Sequence, residues 1–468
     1  MLFNSLEFFF FFPLVTLLFF LLSHKYRWIH LLLASCVFYM FFVPEYILIL
    51  LITIVIDYAA GILIENSDGR RKKIYLIISI ISTCLVLFIF KYFDFFNENM
   101  VSLSARFGFY YPKRVFDIIL PIGLSFHTFQ SLSYVIEVYR GNQKAEKHFG
   151  LYSLYVMFYP QLVTGPIERP QNLLHQFHEK KVFNFQNLID GLRLILFGLF
   201  VKMVIADNLA PFVDDVYGNP ESQSSTTILS AIFFYSFQIY CDFLGYSTIA
   251  VGCAKAMGFS IMDNFKNPYL AKSIAEFWQR WHISLSTWFR DYLYFPLGGN
   301  KVKKARWILN ILIVFVVSGI WHGANWTFVI WGTLHGLLYL LESIPKKILK
   351  QKKPSTSTLS GILKIGFTFV VVSFVWVFFR AENLNHVRKI AYSLVHNWNI
   401  PSTLEIPNSI WVYLLSFVVL DTLLFKTRFD KWCSTISAPM RWSIYGILIF
   451  MTITCSGVDN YPFIYFQF

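Results

Sequence analysis

The chain has 468 residues, 56% of them hydrophobic and 19% aromatic, with only 14% charged. Apolar runs of spanning length recur from end to end, so a soluble globular protein is excluded and a polytopic all-α membrane protein is indicated. The runs are continuous rather than alternating, which argues against a β-barrel. The formal net charge of +13 comes from Lys and Arg in short loops between apolar runs, where they act as orientation signals. It does not point to nucleic acid.

The first 23 residues carry Glu7 but no basic region and no small-residue cleavage site, so they read as a retained span rather than a signal peptide. Spans are predicted at about 6–22, 28–43 and 46–64. The cluster Arg70-Arg71-Lys72-Lys73 marks the next loop as cytoplasmic, which puts the N-terminus outside. A fourth span runs from Ile74 to about Phe93, and Asn97 to Asp117 reads as a polar, aromatic loop. Leu120 to Gly141 carries Pro121, Gly123, His127, Gln130 and Glu137, which predicts a broken or re-entrant helix packed against protein. Tyr159 to Phe177 has Pro-Gly-Pro punctuation that forbids one continuous helix, and its Glu168-Arg169 pair needs water or a pocket.

Further spans are predicted near 188–206 and 227–250. In the second, Gln238, Asp242 and Tyr246 recur every four residues and share one helix face. That face is either a polar clasp between helices or a cavity wall. Ala275 to Phe295 reads as an amphipathic, tryptophan-rich interfacial helix ended by Pro296-Leu297-Gly298-Gly299. Trp278, Trp281, Leu285, Trp288, Tyr292 and Phe295 would form its apolar face, with Gln279, His282, Ser286 and Arg290 on another.

Arg306 to Leu341 forms two apolar runs around the polar knot Trp321-His322-Gly323-Ala324-Asn325-Trp326. Basic clusters flank it, Lys301 to Arg306 before and Lys346 to Lys353 after. Both ends therefore face the cytoplasm and the knot is the tip of a helical hairpin. Arms of about 15 apolar residues reach roughly 22 Å, short of a hydrocarbon core about 30 Å thick, which leaves His322 recessed. A buried ionisable group in a span is a functional-site hypothesis by default. PSTSTLSG, from Pro354 to Gly361, reads as a linker; spans follow at about 361–379, 409–425 and 442–456, with an external loop at 380–407. No internal repeat or soluble domain is visible, so residues 1–468 read as one membrane domain with an extracytoplasmic C-terminal tail at 460–468.

An imidazole titrates near neutrality and can take a proton from an attacking hydroxyl. No GxSxG, P-loop, HExxH or dinucleotide fingerprint accompanies His322. The six cysteines form no CxxC pair, and His322 with His335 lacks an obvious third ligand, so no metal is predicted. His335 reads as a hydrogen-bonded core histidine. A proton-coupled transporter, with Asp57, Asp242 and His322 as a relay, is the alternative from another class, although the matching halves such transporters show are missing.

The stretches FWQRWHISLSTWFRDYLYFPLGGN and SGIWHGANWTFVIWGTLHG closely resemble the membrane-bound O-acyltransferase family. The nearest branch is the bacterial alginate O-acetyltransferases, with teichoic-acid D-alanyl transfer proteins as cousins; LPIGLSFHTFQSLSYVIEVYRG, FYPQLVTGPIERP and DNFKNPYL extend the resemblance over nearly the whole chain. It implies tilted and re-entrant helices around a transmembrane tunnel in a bacterial inner membrane, with both termini extracytoplasmic. No cofactor would be resident. A pantetheine thioester, acetyl-CoA or an acyl carrier protein, would arrive from the cytoplasm. A cell-surface polysaccharide, or an extracytoplasmic acetyltransferase serving it, would receive the acyl group. The family's buried histidine falls on His322 and its second on His282; Ser286, Arg290, Trp321, Asn325 and Asp242 are the candidate substrate-binding residues. Phe463 to Phe468 reads F-x-Y-x-x-F, which resembles the tail motif of a small partner peptide in D-alanylation systems and makes Tyr465 a candidate acyl relay. D-alanyl transfer and acylation of a protein remain alternatives.

Overall fold

The computed structural model describes residues 1–112, 121–163, 165–349, 358–402, 404–456 and 461–466. Expectations drawn on Asp117, Leu120, Thr164, Lys350, Lys352, Lys353, residues 354–357 of the linker, Asn460, Gln467 and Phe468 lie outside these. Among the described residues the chain is helical and without β-strands. Six helices among the described residues are long and apolar enough to cross a membrane: Pro44–Glu65, Gly69–Phe107, Ser225–Ala256, Lys304–His322, Trp326–Pro345 and Thr358–Arg380. Leu6–Leu21 and Asn408–Leu423 are shorter apolar helices. The predicted spans near 28–43, 188–206 and 442–456 are helical too, as His24–Met40, Phe185–Leu199 and Ala438–Thr454, but fall outside that set.

The chain divides into two compact units, Met1–Leu192 with Ala250–Met262, and Arg193–Ile249 with Asp263–Phe468. In the first, the predicted loop from Asn97 is a helix instead: a π-turn at Phe88–Tyr92 carries Gly69–Leu87 straight on to Phe107, where Gly108 caps it in the left-handed region. The polar residues there alternate with Phe and Leu at helical spacing, which a reading by polarity alone overlooks. Leu124–Arg140 is also one unbroken helix, starting just after Gly123. It is packed against protein, as predicted, with only a few positions off the core. Two of the polar side chains that marked it in the sequence are paired: Gln130 donates to the Tyr155 carbonyl at 2.5 Å, and Glu137 accepts from Asn142 at 2.9 Å and Arg140 at 3.1 Å. Tyr159 to Phe177 does break, into Tyr159–Leu162 and Pro170–His178, and Glu168 finds its pocket by accepting from Asn172 and the Met262 amide at 2.5 Å each.

The second unit is built on the hairpin. Its outbound arm is Lys304–His322 and its return arm Trp326–Leu349. The arms touch backbone to backbone because glycines face each other. A Cβ at Gly319 would sit 2.3 Å from the Phe328 carbonyl oxygen, and one at Gly332 would sit 2.3 Å from that of Phe315. Small residues permit such close approach where lipid supplies no hydrophobic drive between helices. Trp307, Ile311 and Leu340 form the core at the basic end, and Asn310 ties down the Pro-Leu-Gly-Gly turn by donating to the Leu297 and Gly299 carbonyls. The segment 380–407, read as a loop, holds the helix Leu384–His396, capped by Asn383.

Gly332→Ala should therefore cost about 1–3 kcal/mol as an overpacked contact against backbone, seen as a lower Tm in detergent. Gly446→Ala, whose Cβ would meet nothing within 4 Å, should leave Tm unchanged.

Candidate functional site

The region predicted as one amphipathic helix is two. Ile274–Arg280 starts at Ser273, whose hydroxyl accepts from the Glu276 amide at 3.1 Å, and ends at Trp281. Ile283–Phe289 follows, and a π-turn completes the stretch at Arg290–Tyr294. The break is His282, at φ 43° and ψ 57°, a left-handed conformation that costs a non-glycine residue roughly 1–2 kcal/mol. Asn264 holds the restart: its carbonyl accepts from the Ile283 amide at 2.9 Å and its side chain from the Ser284 amide at 3.3 Å. This break turns His282 away from Gln279 and buries it completely. The predicted polar face shared by Gln279, His282, Ser286 and Arg290 does not exist.

His282 lies edge-on to Phe243 at 4.7 Å between ring centroids and 6.4 Å from Trp321. His322 ends the outbound arm and is only 4% exposed. Around its ring stand Trp321 at 4.9 Å, Trp331 at 5.0 Å, Phe379 at 5.3 Å and Tyr465 at 5.7 Å. Its burial comes from these aromatics rather than from short arms, since 19 helical residues reach about 28 Å.

Tyr465 is in the short 3₁₀ turn Ile464–Phe466. Its ring is 4.8 Å from Phe243, 6.0 Å from Phe379 and 6.5 Å from His282. Its hydroxyl is buried and has no hydrogen-bond partner among the described residues. Three of the predicted residues, far apart in the chain, thus share one aromatic chamber. His282 and Tyr465 lie outside the spanning helices. Burial pushes the His282 imidazole down to about 3, so it is neutral, and pushes the Tyr465 phenol well above its ordinary value, so that phenol needs a base to ionise.

Of the candidate substrate-binding residues, Trp321 belongs to this chamber. The Ser286 hydroxyl instead donates to the Trp281 carbonyl at 3.2 Å, and Arg290 is exposed and pairs with Asp291 at 2.8 Å. Asn325 caps the return arm, accepting from the Thr327 amide at 3.0 Å and donating to the Glu382 carbonyl at 2.6 Å. Asp242 accepts from the Ile464 amide at 2.7 Å and pairs with Lys202 at 2.6 Å. Tyr246, on the same helix face, packs its ring against Phe463 at 4.8 Å between centroids, so that face meets the segment carrying Tyr465. His335 is buried, but its surroundings are Phe277, Trp278 and Trp331, and neither ring nitrogen has a hydrogen-bond partner among the described residues. Aromatic packing replaces the predicted hydrogen bond.

Lys202 and Asp207 went unmarked in the sequence. The signal was there: a lone lysine inside an apolar run, five residues before an aspartate. They meet at 2.6 Å because Phe200–Ala206 is a π-helix, whose i→i+5 repeat brings such a pair together.

Phe243→Ala should cost about 3–5 kcal/mol, because that ring touches His282, Phe463 and Tyr465; Phe243→Leu should lose less than half of that, with thermal unfolding as the measure.

A family model described as "MBOAT, membrane-bound O-acyltransferase family" matches residues 147–387. A probable alginate O-acetylase of Azotobacter vinelandii is 37% identical over 394 residues, covering 82% of this chain and 76% of that protein. A peptidoglycan O-acetyltransferase of Helicobacter pylori is 36% identical over 392 residues, covering 78% and 73%. A teichoic acid D-alanyltransferase of Bacillus subtilis is 27% identical over 324 residues, covering 66% and 78%.

Proposed function

The chain belongs to the membrane-bound O-acyltransferase family and is an O-acyltransferase, and from that premise we propose that it moves acetyl groups outward to a cell-surface polysaccharide, with His322 as base and Tyr465 as relay. Membership of an enzyme family removes the transporter alternative. The observation that carries the proposal is the 5.7 Å between the His322 and Tyr465 rings inside a buried chamber.

The donor in this reading is acetyl-CoA, arriving at the cytoplasmic side marked by Lys301 to Arg306. His322 takes the phenolic proton of Tyr465 as the oxygen attacks the thioester carbonyl. The carbon–sulfur bond breaks, the thiolate leaves and receives that proton, and an aryl ester forms on Tyr465. The oxygen of a hydroxyl on the extracytoplasmic side, on the polysaccharide or on a partner enzyme, then attacks the aryl ester; the bond to the Tyr465 oxygen breaks, and the hydroxyl's own proton passes to that phenolic oxygen. A thioester needs little activation, so positioning and proton removal carry most of the rate. His282, neutral and walled by Phe243 and Trp321, shapes the chamber beside the donor rather than exchanging protons. Acetyl is preferred to D-alanyl because relatives named for acetyl transfer are 36–37% identical, against 27% for the D-alanyltransferase. The membrane in this reading is the bacterial inner membrane, with both termini on its outer side.

His322→Ala should lower acetyl transfer by about 10²–10⁴-fold, the usual worth of a positioned base, while the variant still binds acetyl-CoA. Tyr465→Phe, which removes one oxygen from a packed ring, should lower transfer comparably and leave Tm unchanged. Radiolabelled acetyl-CoA with membrane vesicles reads both. Wild-type rates in either variant would remove that residue from the mechanism.

A further inference from the structure

Three charged side chains are buried together in the second unit, beside the chamber. Lys202 lies 2.6 Å from Asp207 and 2.6 Å from Asp242. All three are less than 5% exposed. Charge of this kind is costly away from water and persists where its remaining hydrogen-bonding capacity is met. Two carboxylates on one ammonium leave that capacity unfilled on both sides of the cluster.

The segment Tyr461–Phe466 fills it with main chain. The Ile464 amide donates to Asp242 at 2.7 Å, and Lys202 donates to the Tyr461 carbonyl at 3.1 Å. The two grips are three residues apart and clasp the turn from both ends. Phe463, between them, is fully buried against Tyr246 at 4.8 Å and Phe243 at 5.5 Å. Asn208, next to Asp207, donates to the Cys455 carbonyl at 2.8 Å, at the C-cap of the helix Ala438–Thr454. A second, independent observation concerns the backbone. Lys202 projects from the π-helix Phe200–Ala206, and π-turns of this kind are rare and gather at functional sites.

We propose that Lys202 and Asp242 are positioning residues for acyl transfer: an ionic clamp that holds the chain by its backbone and thereby fixes Tyr465, the next residue after Ile464, against His322. Asp207 pairs with Lys202 and orients it. A grip on main-chain atoms sets register without depending on side-chain identity. One residue of slippage would replace Tyr465 in the chamber by Ile464 or Phe466. The consequence for catalysis rests on the relay reading of Tyr465; the clamp itself does not.

Hydrogen–deuterium exchange on the full-length protein in nanodiscs separates the two. In wild type, peptides covering 461–466 should be protected. Asp242→Leu, which removes both the ion pair and the acceptor, should raise their exchange at least tenfold, while peptides from the hairpin arms keep wild-type rates. Asp242→Asn, which keeps an oxygen for the Ile464 amide, should give an intermediate rise of about threefold or more, and it carries the test if the leucine variant does not fold. Asp207→Asn should stay within about threefold of wild type. An unprotected segment in wild type, unchanged protection in both Asp242 variants, or an equal rise throughout the unit in the Asp207 and Asp242 variants would overturn the clamp. Exchange in the tail that rises as described, with normal transfer by Tyr465→Phe, would keep the clamp and discard the relay.

Discussion

Backbone contact between the two hairpin arms is the constraint from which the site follows. Gly319 and Gly332 let the helices meet without intervening side chains. The tip then has nowhere to send Trp321 and His322 except inward, against Trp331 and Phe379. Gly323 tightens the turn further, since a Cβ there would lie 2.1 Å from the Phe328 ring. An imidazole at the end of an apolar arm could instead have faced lipid or headgroups. Held here among aromatic faces, it sits in a chamber that the Tyr465 ring completes.

A chamber lined by aromatic rings has little polarity of its own to orient an incoming group. Orientation has to come from its edges. One edge is the left-handed turn at His282, held by Asn264. Another is the Lys202–Asp207–Asp242 cluster. Both devices use buried polar groups whose hydrogen bonds go to main chain, where burial makes a satisfied bond most valuable and an unsatisfied one most costly.

The sequence revealed much of this and concealed the rest for identifiable reasons. Continuous apolar runs located most helices, and the basic clusters around Arg306 to Leu341 exposed the hairpin and its histidine. Prolines at 166 and 170 announced the break after Leu162. The break at His282 gave no such notice. No glycine or proline marks it, and its cause is Asn264, eighteen positions earlier in the chain. Periodicity therefore drew one helix through it and placed a buried histidine on a solvated face. The Lys202–Asp207 pair was hidden by the assumption of a 3.6-residue turn, which a π-helix violates. Asn325, Ser286 and Arg290, read as candidate ligand contacts from their place near a motif, make a helix cap, a bond to the preceding turn and an exposed ion pair, partners that polarity and spacing alone do not disclose.

The central claim is that the Tyr465 oxygen carries the acyl group on its way out, with His322 taking its proton. Peptide mass spectrometry of the purified protein after incubation with isotopically labelled acetyl-CoA tests it most directly. The account predicts a labelled acetyl ester on Tyr465 that is absent when His322 is alanine and that disappears when an acceptor is added. A wild-type protein that acetylates its acceptor while Tyr465 never carries the label, or a label equally abundant without His322, would contradict it.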